Sequence, residues 1–171
     1  MVSATVLFQQ ELVRRLYHAS QGVVRISTQH GSLPSILNII IPSVTENGNL
    51  EIFVRRFFSG IPNCDGIIES ILAYNEERDK LGVVMRTAIE AMYYTANPLV
   101  ARDVRNVATH YSNTDYVTLK SAMGALKIAA YMTGERDAVR TIANSLIDNK
   151  ENPRRVLEEL MNTRSYRARK R

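Results

Sequence analysis

The chain has 171 residues, 45% hydrophobic and 23% charged, which is ordinary for a folded globular protein and excludes low-complexity disorder for most of its length. Its 22 Lys and Arg residues outnumber its 17 Asp and Glu residues, but five of these cations lie in the last eight residues. Residues 1–163 are therefore formally neutral, which argues against a basic face spread over the whole protein.

Cysteine content and hydropathy exclude several other classes of protein. Cys64 is the only cysteine, so the chain has no internal disulfide and no CxxC metal site. Charged residues at Glu11, Arg14 and Arg15 interrupt any signal-peptide core, and the longest apolar cluster, SILNIIIPSV, is shorter than the roughly 20 residues of a membrane helix. We expect a soluble protein of the cytoplasm or of a virion, and the basic C-terminus also fits nuclear import.

The first third of the chain gives a mixed pattern. Apolar residues at helical spacing predict an amphipathic helix over residues 5–20. Three later segments, GVVRIST (22–28), ILNIII (36–41) and LEIFVRRFF (50–58), are rich in β-branched and aromatic residues. With the Asn47-Gly48 turn signal between the last two, they predict a small antiparallel β element, and a helix over 50–58 is the rival interpretation.

From Cys64 onward the pattern is helical. Stripes of apolar residues predict six helices, carried by CDGIIESILAYNEERDK, VVMRTAIEAMYY after Gly82, NPLVARDVRNVATHY, NTDYVTLKSAMGALKIAAYMTG, ERDAVRTIANSLIDN and NPRRVLEELMN. Asn97-Pro98 and Asn152-Pro153 are helix-start signals, Asn113 or Thr114 is a candidate cap, and Gly134 is a helix stop. The fourth of these segments is apolar around most of its girth, which is typical of a central helix.

The predicted fold is mainly α: a compact bundle of about six to seven helices with the small β element in the N-terminal third, an α+β fold being the alternative. We divide this single domain into an N-terminal part (1–63), a helical bundle (64–161) and a basic C-terminal tail (162–171). The Gly60-Ile61-Pro62 stretch is the predicted junction between the first two.

The residue patterns that accompany catalysis are absent from the sequence. The eight glycines form neither GxGxxG nor GxxxxGK, and no GxSxG occurs. His18, His30 and His110 are far apart, and none has the i, i+4 partner of a helical metal site. We therefore expect no enzymatic activity, no metal and no cofactor.

Arginine clusters are the remaining signal, because Arg outnumbers Lys 17 to 5 and its planar fork suits phosphate. Doublets occur at Arg14-Arg15, Arg55-Arg56 and Arg154-Arg155. The second lies among Phe53, Phe57 and Phe58, so rings could stack on bases while guanidinium groups hold phosphates. Solvated faces with local ion pairs, or core aromatics beside snorkelling arginines, are the competing interpretations.

The tail is the strongest candidate for contact with a polyanion. It has no acidic residue, and its six candidate contact residues are Arg164, Tyr166, Arg167, Arg169, Lys170 and Arg171. Five cations can release several counterions on binding RNA or DNA. Nuclear import, an acidic protein partner, an anionic membrane surface and simple solubility are the alternatives.

The function predicted from these observations is a non-enzymatic nucleic-acid-binding assembly protein, such as a small viral nucleocapsid or coat subunit. Its tail, with Arg55, Arg56, Arg154 and Arg155, would contact phosphates, RNA being favoured over DNA, and its neutral body would self-associate. The alternative is a helical protein–protein interaction module, an adaptor or viral antagonist of a host protein, with no nucleic-acid role.

Overall fold

The computed structural model describes residues 2–21, 33–46, 48–72, 78–148 and 152–163. Every regular element in these residues is an α-helix, and helices account for 82% of them. The nine helices of this described part are α1 (Ala4–Ser20), α2 (Leu33–Glu46), α3 (Leu50–Phe58), α4 (Asp65–Leu72), α5 (Arg78–Thr95), α6 (Val100–His110), α7 (Tyr116–Thr133), α8 (Arg136–Asp148) and α9 (Pro153–Met161).

The small antiparallel β element is not what the structure shows. Residues 36–41 lie within α2 and residues 50–58 form α3, so the described part has nine helices in place of the predicted six to seven, and no strand. In α3, Phe53, Val54 and Phe57 are buried on one helical face, and this 3.6-residue period outweighs the β propensity of the same residues. The rival prediction of a helix over 50–58 is confirmed, and the segment 22–28 lies outside the described residues.

Helix boundaries follow the predicted capping signals at several points. Asn152 accepts hydrogen bonds at Oδ1 from the backbone N–H groups of Arg154 and Arg155, and Pro153 opens α9. Gly134 ends α7 in the left-handed conformation, at a φ of 64°. The cap of α7, however, is Asp115, which accepts from Thr118 N at 2.9 Å, in place of the predicted Asn113 or Thr114.

Gly82 lies inside a helix and does not separate two of them. A helix is predicted to begin after Gly82, but α5 begins at Arg78, four residues before this glycine. A Cβ atom at Gly82 would lie 3.3 Å from Cγ2 of Ile41 and 3.5 Å from Cγ2 of Thr45. The glycine therefore lets α2 approach α5 closely, which is a packing role that the sequence does not distinguish from a helix break.

The second half of the chain is a stack of helical hairpins. Helix α7 packs between α5 and α9, while α6 and α8 pack together as a second layer. Glu90 contacts Lys127 and Tyr94 contacts Tyr131, so α5 and α7 run in the same direction and end at the same side of the bundle. This order of alternating layers resembles the way helical repeats stack, although the sequence has no evident repeat.

One hydrophobic core joins the described helices. It includes buried residues of all nine, from Leu12 in α1 to Val156 in α9, and α7 alone buries eight side chains. The central position predicted for α7 is thus confirmed. None of the described helices combines the length and apolar character that a membrane crossing requires.

Candidate nucleic-acid interface

The Arg55-Arg56 doublet lies on the exposed face of α3, opposite the phenylalanines. Arg55 Nε donates to Glu51 Oε1 at 3.2 Å, and Arg56 Nη1 donates to the carbonyl oxygen of Gln21 at 3.0 Å. The rings of Phe53, Phe57 and Phe58 are at most 1% exposed. These rings are therefore core residues that cannot stack on a base, although both guanidinium groups remain at the surface.

The Arg14-Arg15 doublet has a structural role. Arg14 and Arg15 both donate to the carboxylate of Glu11, which holds the pKa of that group at about 2, the hydrogen bond from Arg14 being the main cause. Arg15 also donates to the carbonyl oxygens of Phe57 at 3.2 Å and of Ser59. These are carbonyls at the C-terminal end of α3, so Arg15 joins α1 to that helix end.

The Arg154-Arg155 doublet lies in the first turn of α9, and both side chains are exposed. Arg155 Nε is 3.5 Å from Glu159 Oε1, an i, i+4 ion pair on the helix surface. Glu158 is also exposed on this helix, so α9 presents a face of mixed charge. The two arginines are accessible to phosphate. Their charges are balanced by those of Glu158 and Glu159, so this face of α9 has no net positive charge.

The basic tail joins the described fold at Thr163. The residues with the predicted contact role, 164–171, lie outside the described residues. Thr163 Oγ1 lies 3.7 Å from Sδ of Met132, near the end of α7, and donates to the carbonyl oxygen of Leu160 at 2.8 Å. The tail therefore leaves the fold beside the C-terminal end of α7.

Three tyrosines cluster at this same end of the bundle. We call Tyr93, Tyr94 and Tyr131 the tyrosine cluster. The ring centroids of Tyr93 and Tyr94 are 5.5 Å apart, those of Tyr94 and Tyr131 are 5.1 Å apart, and both pairs meet edge to face. Tyr131 is 37% exposed. Burial, followed by the nearby Glu90 carboxylate, raises the pKa of the Tyr94 phenol, so its O–H stays protonated at neutral pH.

Tyrosine and lysine side chains recur on one side of α7 and are exposed near its two ends, whereas residues 121–126 between them are buried or half-buried. Tyr116, Lys120, Lys127 and Tyr131 fall within an arc of about 60° at 3.6 residues per turn, and we call them the α7 stripe. The Nζ of Lys120 lies over the Tyr116 ring, 5.8 Å from its centroid. No Asp or Glu occurs anywhere in α7.

Two acidic groups border the α7 stripe: Asp115, the exposed N-cap next to Tyr116, and Glu90, which is paired with cations. Glu90 of α5 is 7% exposed, with Oε2 3.4 Å from Lys127 Nζ and Oε1 3.6 Å from Arg86 Nε. Arg86 in turn donates to Asn38 Oδ1 of α2. The surface between α5 and α7 therefore has more positive than negative charge, with tyrosine rings at its end.

The sequence patterns did not reveal the α7 stripe, although its four residues all belong to one predicted helix. The segment from Tyr116 to Thr133 was interpreted by its apolar residues alone, as a central helix. Plotting its few polar and aromatic residues at 100° per residue would have placed Tyr116, Lys120, Lys127 and Tyr131 on one side. The proximity of Tyr93 and Tyr94 could not have been found this way, because it depends on how α5 packs against α7.

The residues considered for catalysis are not brought together. Cys64 is buried, and burial, assisted by the Asp65 carboxylate, raises the pKa of its thiol to about 11, so it is protonated at neutral pH. His18 and His110 are exposed on α1 and at the end of α6, and His30 lies outside the described residues. In the part of the chain that the structure describes, no three His, Cys, Asp or Glu side chains form a group that could hold a metal ion.

Comparison with known proteins gives no further guide to the site. Neither the family models, nor the curated proteins, nor the solved structures include a match to this chain.

Proposed function

We propose that the protein is a non-enzymatic nucleic-acid-binding assembly protein, of the kind represented by small viral nucleocapsid or coat subunits. The observation that carries the proposal is the place where the basic tail joins the fold. Thr163 lies against Met132 at the end of α7, and the tyrosine cluster is at that same end. The tail therefore joins the fold at the end of the bundle that holds the tyrosine cluster, which would let cations contact phosphates while rings stack on bases.

The charge distribution supports the assembly part of this proposal. Residues 1–163 have 17 cations and 17 acidic side chains, and the last eight residues hold the five remaining cations. Neutral bodies can pack side by side without mutual repulsion while basic tails neutralise the phosphates. RNA is the proposed polymer, because its sites of recognition are mostly unpaired bases that stack on aromatic side chains.

Among the arginine doublets, the structure favours a secondary role in phosphate contact. Arg55 and Arg155 are each engaged with an acidic residue of their own helix, and Arg56 with a backbone carbonyl. These interactions are at the surface and can be exchanged for phosphate at little cost. In this proposal the tail supplies most of the affinity, and the doublets add to it.

A salt titration tests the proposal. Affinity for a fluorescent single-stranded oligouridine is measured for the full chain and for a variant that ends at Thr163. If all five cations contact phosphates, removal of the tail lowers the slope of log K against log salt by up to about 3.5, at about 0.7 per contact. A full-length control has the five cations replaced by Gln and retains the chain length and Tyr166. It should behave like the truncated variant, because the cations supply the phosphate contacts.

A protein–protein interaction module is the second candidate, and one feature of α1 favours it. Val2, Val6 and Leu7 are 56%, 40% and 55% exposed, and no charged residue occurs in the first ten. Such an apolar helix end is a typical contact for another protein. If truncation at Thr163 leaves both affinity and salt slope unchanged, the tail does not carry the binding. If the full chain does not bind the oligouridine at all, the nucleic-acid proposal is wrong and this function takes its place.

A further inference from the structure

We propose that the α7 stripe and the tyrosine cluster form a stacking platform for unpaired bases, so that the protein binds single-stranded nucleic acid in preference to duplex. This inference rests on the proposed function, since it names the substrate class of the same surface. It goes beyond that function because phosphate contacts from a basic tail do not by themselves distinguish a single strand from a duplex.

The first observation is the placement of the rings. Tyr116 and Tyr131 are 39% and 37% exposed, whereas Phe53, Phe57 and Phe58 are buried. Tyr131 follows Tyr116 by fifteen positions in the helix, which corresponds to about 22 Å at 1.5 Å per residue. A flexible strand that spans this distance would thus meet an exposed ring at each end of α7.

The second observation is the charge between those rings. Lys120 and Lys127 occupy the interval, on the same side of the helix as the tyrosines. Lys127 is 3.4 Å from the Glu90 carboxylate, but its side chain is 41% exposed, and Glu90 is also within 3.6 Å of Arg86. A phosphate could therefore approach Lys127 without meeting an unpaired carboxylate.

The third observation is continuity with the tail. Tyr131 is next to Met132 in the chain, and Met132 contacts Thr163, the last described residue before the cations. A strand held by the tail is tethered at the same end of the bundle as the tyrosine cluster, so even modest stacking adds to affinity. Bases in a duplex present their faces to neighbouring bases and cannot use these rings.

The test compares two ligands of equal length. Dissociation constants are measured by fluorescence anisotropy for an oligouridine of about twelve nucleotides and for a duplex of the same length. The intact protein should bind the single strand more tightly. Tyr131→Ala and Tyr116→Ala should each weaken single-strand binding by roughly fivefold to a hundredfold, while the affinity for duplex changes by less than about twofold.

Two further variants separate stacking from loss of structure. Tyr131→Phe keeps the ring and should retain the preference for single strands. Val117→Ala alters an exposed residue of the same helix outside the α7 stripe and should change neither affinity. Circular dichroism establishes that each variant remains helical, and Tyr116→Ala, at the other end of α7 from the tyrosine cluster, serves if Tyr131→Ala unfolds.

The possible outcomes distinguish this inference from the proposed function. If the intact protein binds neither ligand, the proposed function itself fails. If it binds both and the tyrosine variants leave the ratio of the two constants unchanged, the proposed function stands and the stacking platform is overturned. Displacement of oligouridine by polyglutamate of equal total charge, at equal concentration, would also overturn it, because an acidic protein would then fit the surface as well.

Discussion

Helices α3 and α7 both contain aromatic rings and cationic side chains. In α3 the two residue types lie on different faces of the helix, whereas in α7 they lie on the same face. In α3 the phenylalanines are buried and Arg55 and Arg56 lie on the other side, each with a local partner. In α7 the tyrosines and lysines share one arc of the helix and are exposed near its two ends. Aromatic and basic residues that alternate in the sequence therefore do not show which side chains share a face until their positions are plotted at 100° per residue.

The comparison also shows why the more conspicuous cluster is the weaker candidate. FVRRFF places its aromatic and basic residues within six positions, and such a run in a helix must divide them between faces. The α7 residues are spread over sixteen positions and are therefore inconspicuous in the sequence. Their spacings of four, seven and four residues return them to the same side of the helix.

The largest loss of stability is expected from a substitution on the buried face of α3. Phe57→Ala removes a ring that lies 5.0 Å from the Phe58 centroid and 6.1 Å from that of Phe53. We expect it to lower the free energy of unfolding by about 3–5 kcal/mol, because a fully buried phenylalanine leaves a cavity. Tyr131→Ala on α7 should cost no more than about 1 kcal/mol. Equal costs in urea denaturation would remove the distinction between the two helices.

An intermediate effect is expected within the α7 stripe. Lys127→Met leaves the nearly buried Glu90 with only Arg86, so we expect a loss of about 1 kcal/mol, against less than about 0.5 kcal/mol for Lys120→Met. The matched double variant Lys127→Met with Glu90→Gln should recover most of the loss. Thermal unfolding of five proteins, the native chain, the three single variants including Glu90→Gln, and the double variant, measures this, and an additive double variant would show that Lys127 does not stabilise Glu90.

The smallest effect concerns the arginines that bind Glu11. Its carboxyl pKa lies at about 2, below the ordinary 4.5, so the stability that it contributes is fully present above about pH 4.5 and is lost as the pH falls through 2. Glu11→Gln should therefore lower the unfolding free energy slightly near neutral pH, and the difference from the native protein should shrink towards pH 2. A difference that grows in acid would contradict this account.

Local signals along the chain predicted much of the fold. The helices of the second half, the Asn152-Pro153 start, the Gly134 stop and the central position of α7 all agree with expectation. Residues 36–41 and 50–58 were assigned to strands because β-branched and aromatic residues favour strands in isolation. Their burial on one helical face, against α1 and α5, determined the outcome.

The candidate site was predictable in part. The localisation of excess charge to residues 164–171 is a property of the sequence and needs no structure. That Arg15 binds the end of α3, and that Tyr94 meets Tyr131, could not be predicted, because each contact joins residues more than thirty positions apart. Pairings of this kind depend on the packing of whole helices.

By itself, the sequence determined a mainly helical protein with a neutral body and a basic tail, because helical period, caps and formal charge are local properties. Only the tertiary structure decided which rings are core and which face solvent, and that the tail joins the fold at the same end of α7 as the tyrosine cluster. The physical reason is that burial and proximity arise only when whole helices pack: Tyr94 near the end of α5 meets Tyr131 of α7, and Thr163 after α9 meets Met132 of α7.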